Sequence, residues 1–273
     1  MKKTMGIALV VLFLATIAIA GPHDLVVLQP GGVSPSPEAQ EQIMRLAKEI
    51  ATQAGWDANS VSAIYFDETE PALAHIKTAK PGFVLGTLGF YLKYKDQLKL
   101  TMVNQILRAG QPDSRYYIVV TNDAIKSLDD LKGKTIAGVH FEEPEFIEKV
   151  VLQGKLPFSS VTVKPMRSLR ALRRLATGKV DAVLLDGIEH KDLGSVPIEA
   201  KFQTIFTSEP IPNAGFMAIG GNATQADIQA LQKALKNFCT QAEGAGICKD
   251  YNINGFRDIA PATYDKVKSL YTK

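Results

Sequence analysis

Two acidic segments of this chain could bind a cation or an amine. Residues 67–70 read DETE and precede Pro71, and residues 142–145 read EEPE and follow a predicted strand. Carboxylates attract a positive group strongly where water is excluded. Carboxylates at a helix start also satisfy its free N–H groups and the positive end of its dipole. The sequence leaves both interpretations open, ligand binding and helix capping.

Acid–base chemistry is a second use that the residues around His140 allow. His140 ends a predicted strand just before Glu142 and Glu143, so an imidazole and a carboxylate could share a proton with a bound molecule. A hydrogen bond to a ligand and a purely structural role fit this position equally well. The sequence shows no serine or cysteine in a nucleophile turn and no histidine–carboxylate pair at metal-ligand spacing. We therefore expect no enzyme, no metal site and no cofactor.

The elements that must position these residues alternate along the chain. Between residues 119 and 187, strand-like runs such as TIAGVH and VDAVLLDG are separated by the helix-like runs EPEFIEKVVLQG and SLRALRRLATGK. Such alternation predicts parallel strands joined by right-handed helical crossovers. Similar α/β sequence lies on both sides. We predict an outer lobe of residues 21–121 and 208–273 and an inserted lobe of residues 122–207, with a ligand-binding cleft between them.

The loops at the carboxyl ends of the predicted strands are the expected ligand-binding positions, because these ends carry the binding loops of open α/β sheets. The residues nominated by this rule are Gln29, Gly31, Gly32, Asp67, Thr87, Tyr91, Thr121, Asn122, His140, Glu142 and Asp186. Gly31-Gly32 could present backbone N–H groups to an anion or form a plain turn. Thr87 and Tyr91 could offer hydroxyls and a stacking face or only pack. Asp186 could face a ligand or a hinge.

Residues 1–20 have the pattern of a cleavable secretory signal. Lys2 and Lys3 are followed by an apolar run from Ile7 to Ala20, which ends in the small-x-small pattern AIA. A transmembrane anchor is the alternative, but the run is shorter than the ~20 residues that span a bilayer. Since no cysteine stands at the cut, we expect no lipid anchor and a mature chain that begins near Gly21.

Charge excludes nucleic acid as an expected partner. Loss of Lys2 and Lys3 lowers the formal charge from +3 to +1, with 29 basic and 28 acidic residues remaining. Four arginines cluster within residues 167–174, on a predicted helix whose other side carries leucines. We interpret this cluster as a solvated helix face rather than a nucleic-acid patch.

Cys239 and Cys248 are the only cysteines in the sequence. A disulfide is the expected state of such a pair in an exported protein. Two free thiols or half of a metal site are the alternatives, although no histidine lies near enough in sequence to complete a metal-ligand pattern.

Several runs of the chain resemble bacterial periplasmic solute-binding proteins with two α/β lobes. These runs are SLDDLKGKTIAG, LATGKVDAVLLDG, IPNAGFMAIGGNATQADIQALQKAL and GAGICKDYNINGFRDI. They are most similar to the phosphate/phosphonate-binding group that serves ABC transporters, and the resemblance covers most of the mature chain. It implies an α/β, two-lobed type II periplasmic-binding-protein fold, each lobe a mainly parallel sheet flanked by helices.

The resemblance also implies a function. A periplasmic, monomeric protein would capture a small polar solute, by family default a phosphonate- or phosphate-like oxyanion, and deliver it to an ABC transporter permease in the inner membrane. A sensor that partners a membrane histidine kinase and an enzyme on the same scaffold are the alternatives. The two lobes would close about a hinge at Val120–Asn122 and Ser208–Pro212.

One segment departs from the family pattern. The phosphonate binders carry a Ser/Thr-rich segment after the strand that follows DLKGK, whereas residues 140–145 here read HFEEPE. Carboxylates there would repel a plain phosphonate and attract an amine. An aminoalkyl phosphonate would satisfy both features, with its phosphonate at Gly31-Gly32 and Thr87 and its amine towards a carboxylate.

Overall fold

A computed structural model describes residues 21–273 of the chain, and the predicted signal peptide lies outside them. The strands are β1 Leu25–Leu28, β2 Ala63–Phe66, β3 Phe83–Leu85, β4 Thr101–Met102, β5 Gln105–Leu107, β6 Asp113–Ser114, β7 Tyr116–Val120, β8 Thr135–Gly138, β9 Thr162–Pro165, β10 Ala182–Asp186, β11 Gln203–Thr207, β12 Ile211–Pro212, β13 Phe216–Ala218 and β14 Gly255–Arg257. The α-helices are α1 Pro37–Ala54, α2 Thr69–Ala79, α3 Leu88–Tyr94, α4 Pro144–Phe146, α5 Ser168–Ala176, α6 Gly187–Lys191, α7 Gln225–Lys236, α8 Ala242–Asp250 and α9 Asp265–Tyr271. A π-helical turn at Ile147–Val151 continues α4.

The outer sheet has the strand order β2-β1-β3-β13-β4. β1 pairs in parallel with β2 and β3, and β13 runs antiparallel to both of its neighbours. All four residues of β1 are buried, as expected for a central strand covered on both faces. Ser36 caps α1 by accepting a hydrogen bond from the Ala39 N–H at 3.2 Å, and the apolar residues at helical spacing in α1 face the core.

The inserted sheet has the strand order β11-β7-β10-β8-β9. β8 pairs in parallel with β9 and β10, and β7 runs antiparallel to β10 and β11. In each sheet four of the five strands therefore point the same way. The predicted fold class, two mainly parallel sheets flanked by helices, is confirmed.

The position of β7 changes where the two lobes divide. Residues 116–120 pair within the inserted sheet, although the sequence placed them in the outer lobe. The chain enters the second sheet through this strand, which is why β7 opposes its neighbours. We propose lobes that follow the sheets: an outer lobe of residues 21–115 and 208–273, and an inserted lobe of residues 116–207.

A short antiparallel ribbon connects the lobes. β6 pairs with β12, with Ser114 opposite Ile211, so the outgoing and returning chains lie side by side. The Tyr116 N–H donates to Ser208 Oγ at 2.9 Å beside this ribbon. Val120–Asn122, predicted as one hinge segment, lies instead at the far end of β7. We therefore place the hinge at residues 113–115 and 208–212.

The predicted bridge between Cys239 and Cys248 is confirmed, with the two Cα atoms 5.5 Å apart. It ties the turn after α7 to α8, where Cys248 is buried against the outer core. A second apolar core runs from Val84 of the outer sheet to Leu184 of the inserted sheet. No helix within residues 21–273 is long and apolar enough to span a membrane.

Candidate functional site

A cavity of about 330 Å³ lies between the two sheets, where the carboxyl ends of their parallel strands meet. The polar and charged residues on its wall include Gln29, Thr87, Arg108 and Asn213 from the outer lobe and Tyr116, His140, Glu142, Glu143 and Asp186 from the inserted lobe. Because both lobes supply polar groups, a small molecule in this cavity would contact both.

Five of the predicted site residues lie on this wall. Gln29 follows β1, Thr87 follows β3, His140 and Glu142 follow β8, and Asp186 ends β10. All four strands are members of the parallel sets, so the strand-end rule places these side chains at one edge of each sheet.

Gly31, Gly32 and Asp67 line a second, larger cavity at the mouth of the cleft, which shares Glu142 with the first. The Gly31 N–H donates to the Asp67 carbonyl oxygen at 3.0 Å, and the Gly32 N–H donates to the Gln29 carbonyl oxygen at 2.9 Å. Both N–H groups are bonded within the outer lobe, which favours the plain-turn interpretation, and anion binding by these N–H groups stays a prediction. A Cβ at Gly31 would lie 2.6 Å from Cγ2 of Val139, so glycine allows the lobes to approach here.

Tyr91, Thr121 and Asn122 line neither cavity, so the geometry does not favour their predicted roles in ligand binding, which stay predictions. Tyr91 is buried in α3, with its ring 5.9 Å from that of Tyr264. Thr121 Oγ1 donates to the Leu175 carbonyl oxygen, and Asn122 accepts from a backbone N–H two residues on. Because β7 is antiparallel, its carboxyl end lies at the opposite edge of the sheet from the cavity.

An ion pair braces the inserted wall. His140 Nε2 lies 3.0 Å from Glu189 Oε2, and Glu189 also accepts hydrogen bonds from the Asp186 N–H at 2.9 Å and from the Ser168 hydroxyl. Asp186 Oδ1 accepts from the N–H groups of Ile188 and Glu189, which completes a capping box on α6. Within residues 21–273, no hydrogen bond reaches the other oxygen of Asp186, which is part of the cavity wall.

The charge states follow from this geometry. Burial pulls the pKa of His140 down, but the hydrogen bond and charge of Glu189 more than offset it, so the net shift is upward. Burial pushes the pKa of Glu189 up, yet the hydrogen bond and charge of His140 outweigh it and hold that pKa below its ordinary value. Both shifts favour the charged forms of His140 and Glu189.

His140, Asp186 and Glu189 bring three potential metal ligands within 4.8 Å of one another. The oxygens and the ring nitrogen that would bind an ion already bond to one another and to backbone N–H groups. These hydrogen bonds explain why the three side chains lie close together in the wall of the inserted lobe. The expectation of no metal site stays a prediction.

Glu143 reaches across the cleft to the outer lobe. Thr87 Oγ1 donates to Glu143 Oε1 at 2.5 Å while it also caps α3 by accepting from the Phe90 N–H at 3.1 Å. A Cβ at Gly89 would lie 2.6 Å from Cδ of Glu143, so the missing side chain makes room for this carboxylate. Burial raises the pKa of Glu143 and outweighs the Thr87 hydrogen bond and the charge of His140, which lower it. The sequence analysis identified Glu143 as part of an acidic segment that could bind a cation or an amine. It did not include Glu143 among the ligand-binding residues at strand ends.

Sequence analysis did not identify Arg108 as a binding residue, because nothing in the local sequence marks it as one. It follows β5, is half-buried, and lines the cavity from the outer lobe. Among the described residues, no carboxylate lies within 4.0 Å of its guanidinium group. The cavity therefore presents a free guanidinium group together with the carboxylates of Glu143 and Asp186.

Tyr116 adds a hydroxyl to the same wall, with its ring edge-on to that of His140 at 5.1 Å. Burial and the charges of Asp186 and Glu143 raise the pKa of Tyr116, so the phenol keeps its proton and can donate a hydrogen bond.

Comparison with protein families and solved structures gives a consistent result. Residues 34–264 match the family described as "ABC transporter, phosphonate, periplasmic substrate-binding protein". No curated protein matches the chain.

Solved structures share the fold at low sequence identity. XAC2383 from Xanthomonas citri, bound to ATP, is 17% identical over 92% of this chain and 96% of its own, with a TM-score of 0.74. A binding protein component of an ABC phosphonate transporter (PA3383) from Pseudomonas aeruginosa is 14% identical over 90% of this chain and 85% of its own, with a TM-score of 0.68. PhnD1 from Prochlorococcus marinus, in complex with methylphosphonate, is 14% identical over 92% of this chain and 97% of its own, with a TM-score of 0.67.

Proposed function

Since the chain belongs to the phosphonate-binding family of periplasmic substrate-binding proteins of ABC transporters, we propose that it captures a small zwitterionic solute between its lobes and delivers it to a transporter permease in the inner membrane. Members of this family bind substrates rather than transform them. The observation that carries the proposal is the polar cavity of about 330 Å³, which strand-end residues of both lobes line.

The charges of the cavity support a solute with two opposite charges. Arg108 can hold an oxyanion through its planar fork of N–H donors. Asp186 and Glu143 would repel a second negative group and attract an amine. Opposite charges in a cavity that excludes water interact several times more strongly than they do in bulk water. An aminoalkyl phosphonate fits, with its phosphonate at Arg108 and Tyr116 and its amine at Asp186.

This arrangement differs from the one expected from sequence. The phosphonate was predicted to bind at Gly31-Gly32 and Thr87, but the two N–H groups are bonded within a turn and the Thr87 hydroxyl donates to Glu143. Arg108 supplies the free donors that those positions lack.

Capture requires that the lobes close on the solute. A solute that touches Arg108 on one wall and Asp186 on the other favours the closed arrangement, because it binds that arrangement better than an open one. Two hydrogen bonds would assist closure, from Thr87 to Glu143 and from Arg167 to the Gly32 carbonyl oxygen.

Calorimetry with three probes tests the proposal: 2-aminoethylphosphonate, methylphosphonate and ethylamine. Arg108→Gln should weaken both phosphonates about tenfold or more, because a charge-assisted hydrogen bond is worth roughly 1.5–3 kcal/mol. Asp186→Asn keeps the helix cap, since asparagine caps as well as aspartate. It should weaken 2-aminoethylphosphonate and spare methylphosphonate.

Arg45→Gln provides the control, because Arg45 is a half-exposed arginine on α1 that pairs with Asp250 outside the cavity. Equal losses in the Arg108 and Arg45 variants would refute the role of Arg108. A wild-type protein that binds none of the three probes would refute the proposed solute class.

A further inference from the structure

Residues 155–179 form a strongly basic stretch in a chain that is otherwise slightly acidic. They contain seven basic and no acidic residues: Lys155, Lys164, Arg167, Arg170, Arg173, Arg174 and Lys179. The stretch includes β9, the edge strand of the inserted sheet, and α5, which covers that sheet. The arginines of α5 lie opposite its buried residues, Ala171, Leu172 and Leu175. The exposed side of α5 is therefore a basic surface.

None of these seven side chains has an acidic partner within 4.0 Å among residues 21–273. Arg167 and Arg170 line the second cavity, whose wall also carries Asp67, Glu68 and Glu142 at longer range. Arg173 does not line that cavity and has no such compensation.

The stability of α5 accounts for only part of this arginine cluster. Arg173 and Arg174 lie in the last turn of α5, where the negative end of the helix dipole favours a cation. Arg170 lies in the first turn, where the positive end of the dipole disfavours a cation, and it repels Arg173 and Arg174 at helical spacings of three and four residues. Arg170 is therefore unfavourable for α5 itself, and its exposed charge is available to a partner outside the chain.

An exposed apolar side chain lies among these charges. Leu169 is 42% exposed, and the only other exposed large apolar residue of the described chain is Val33, at 60%. Leu169 and Arg173 are four residues apart and share one side of α5. Arg167 donates to the carbonyl oxygen of Gly32 at 3.0 Å and to Ser34 Oγ at 3.4 Å, on either side of Val33. The start of α5 and the Val33 loop of the outer lobe are thus joined across the cleft.

We propose that Leu169, Arg170 and Arg173, here called the α5 surface, dock onto an acidic periplasmic surface of the transporter's membrane component. The identity of the partner rests on the proposed function. The choice of the α5 surface as the docking site is argued independently, from its charge and its exposure to solvent. Arginine matches carboxylates through paired N–H donors, and an apolar residue within a charged rim is typical of protein interfaces. An anionic lipid surface would attract the arginines and could also take up Leu169, so the empty nanodiscs of the test below are needed to exclude lipid as the occupant. The Arg167 contact joins the Val33 loop of the outer lobe to the start of α5 across the cleft, so docking at this surface would favour the arrangement in which that contact is made.

Matched charge reversals on two exposed helices test the proposal. Arg170→Glu/Arg173→Glu changes the α5 surface, and Lys233→Glu/Lys236→Glu changes two exposed lysines at the same spacing on α7. Binding is measured to the purified membrane component of the cognate transporter in nanodiscs, and to empty nanodiscs of phosphatidylglycerol and phosphatidylethanolamine. Thermal melting of each variant checks that the fold is intact.

The arginine pair should weaken binding to the loaded nanodiscs about tenfold or more, and the lysine pair less than about twofold. The wild-type affinity should fall as salt rises, since exposed charges are screened over ~10 Å at 0.1 M ionic strength. Leu169→Ser should also weaken binding without changing the salt dependence.

Equal effects of the two charge-reversed pairs would overturn the proposal and leave the proposed function intact. Equal binding of the wild type to empty nanodiscs would also overturn it, because the occupant would then be lipid. A wild-type protein that binds 2-aminoethylphosphonate but not the transporter would overturn transporter delivery and the docking surface with it, while solute capture would stand.

Discussion

The two acidic helix starts look alike in the sequence and serve different places in the fold. At residues 67–70, the Asp67 carbonyl oxygen accepts a hydrogen bond from its own lobe, and the acidic side chains line the mouth of the cleft. At residues 142–145, Glu143 crosses to the outer lobe and accepts the Thr87 hydrogen bond. The first start lies beside solvent and no side chain caps α2 there, whereas the second helps to join the lobes. The local sequence pattern indicates where a helix starts. Whether the acidic side chains at that start contact the other lobe depends on which residues of that lobe face them.

The largest expected effect comes from filling the space beside Glu143. Gly89→Ala would place a Cβ 2.6 Å from Cδ of Glu143, so the flexible carboxylate would swing away and lose its hydrogen bond to Thr87. A lost hydrogen bond together with a displaced buried carboxylate costs roughly 1–2 kcal/mol, so we expect the affinity for 2-aminoethylphosphonate to fall by about fivefold to thirtyfold in calorimetry.

Two controls sharpen this test. A Cβ at Gly246 on α8, outside both cavities, would lie no closer than 3.5 Å to any neighbour, so Gly246→Ala should bind like the wild type. Shortening the partner in the double variant Gly89→Ala/Glu143→Ala should restore part of the lost affinity. No restoration would mean that the two residues do not meet in the bound state.

A direct comparison of the two helix starts should give a smaller effect. Glu143→Ala removes a hydrogen bond between the lobes that is worth about 1 kcal/mol, so solute binding should weaken roughly fivefold. Glu68→Ala removes an exposed carboxylate at the other start and should change the free energy of solute binding, measured by the same calorimetry, by less than about 0.5 kcal/mol. Similar losses in the two variants would contradict the distinction drawn between them.

The raised pKa of Glu143 predicts a pH dependence. A carboxyl whose pKa is raised in the folded protein stabilises the fold fully below its ordinary value, here 4.5, and this contribution is lost as pH rises through the raised pKa. Urea unfolding of the wild type should therefore show stability that falls above pH 4.5, and Glu143→Gln should flatten that part of the curve.

Other titrating groups on the same wall can be separated from Glu143. The pKa of Glu142 is also raised, by the partial desolvation of its largely exposed side chain and by the charges of Glu68 and Asp67, so Glu142→Gln is measured alongside. The pKa of His140 is raised as well, and its loss of stability begins only above 6.5. An identical pH profile for the wild type and Glu143→Gln would show that Glu143 is not buried as the structure has it.

The smallest effect is expected where the two helix starts face each other at the cleft mouth. Glu142 is exposed and lies near Asp67 and Glu68, so Glu142→Gln relieves repulsion as well as removing an attraction for an amine. It should weaken 2-aminoethylphosphonate about twofold and leave phosphate equal or slightly favoured. Equal changes for both ligands in calorimetry would mean that Glu142 is only a helix cap.

Sequence predicted the parts of the site that local pattern encodes. The ends of the buried apolar runs of β8 and β10 can be recognised in the sequence. The polar residues after these runs, His140 and Asp186, lie on the cavity wall. The disulfide followed from compartment and cysteine count. The fold class followed from strand–helix alternation and the family resemblance.

The remainder depends on contacts between distant segments. Thr121 and Asn122 follow β7 in the sequence but lie away from the cavity, because the direction of β7 is set by its crossing from the other lobe, not by its own residues. The bonding of the Gly31 and Gly32 N–H groups could not be predicted, because one partner, Asp67, is distant in sequence and the other, Gln29, belongs to the turn itself. Arg108 gave no signal, because the absence of a nearby carboxylate is visible only in the folded chain.

Small-angle scattering tests solute capture between closing lobes most directly. Saturation of the wild type with 2-aminoethylphosphonate should lower the radius of gyration as the lobes turn about residues 113–115 and 208–212. Gly89→Ala, whose added methyl group obstructs the closed contact, should show a smaller decrease at the same saturation. An unchanged radius of gyration in wild-type protein that calorimetry shows to be saturated would contradict the account.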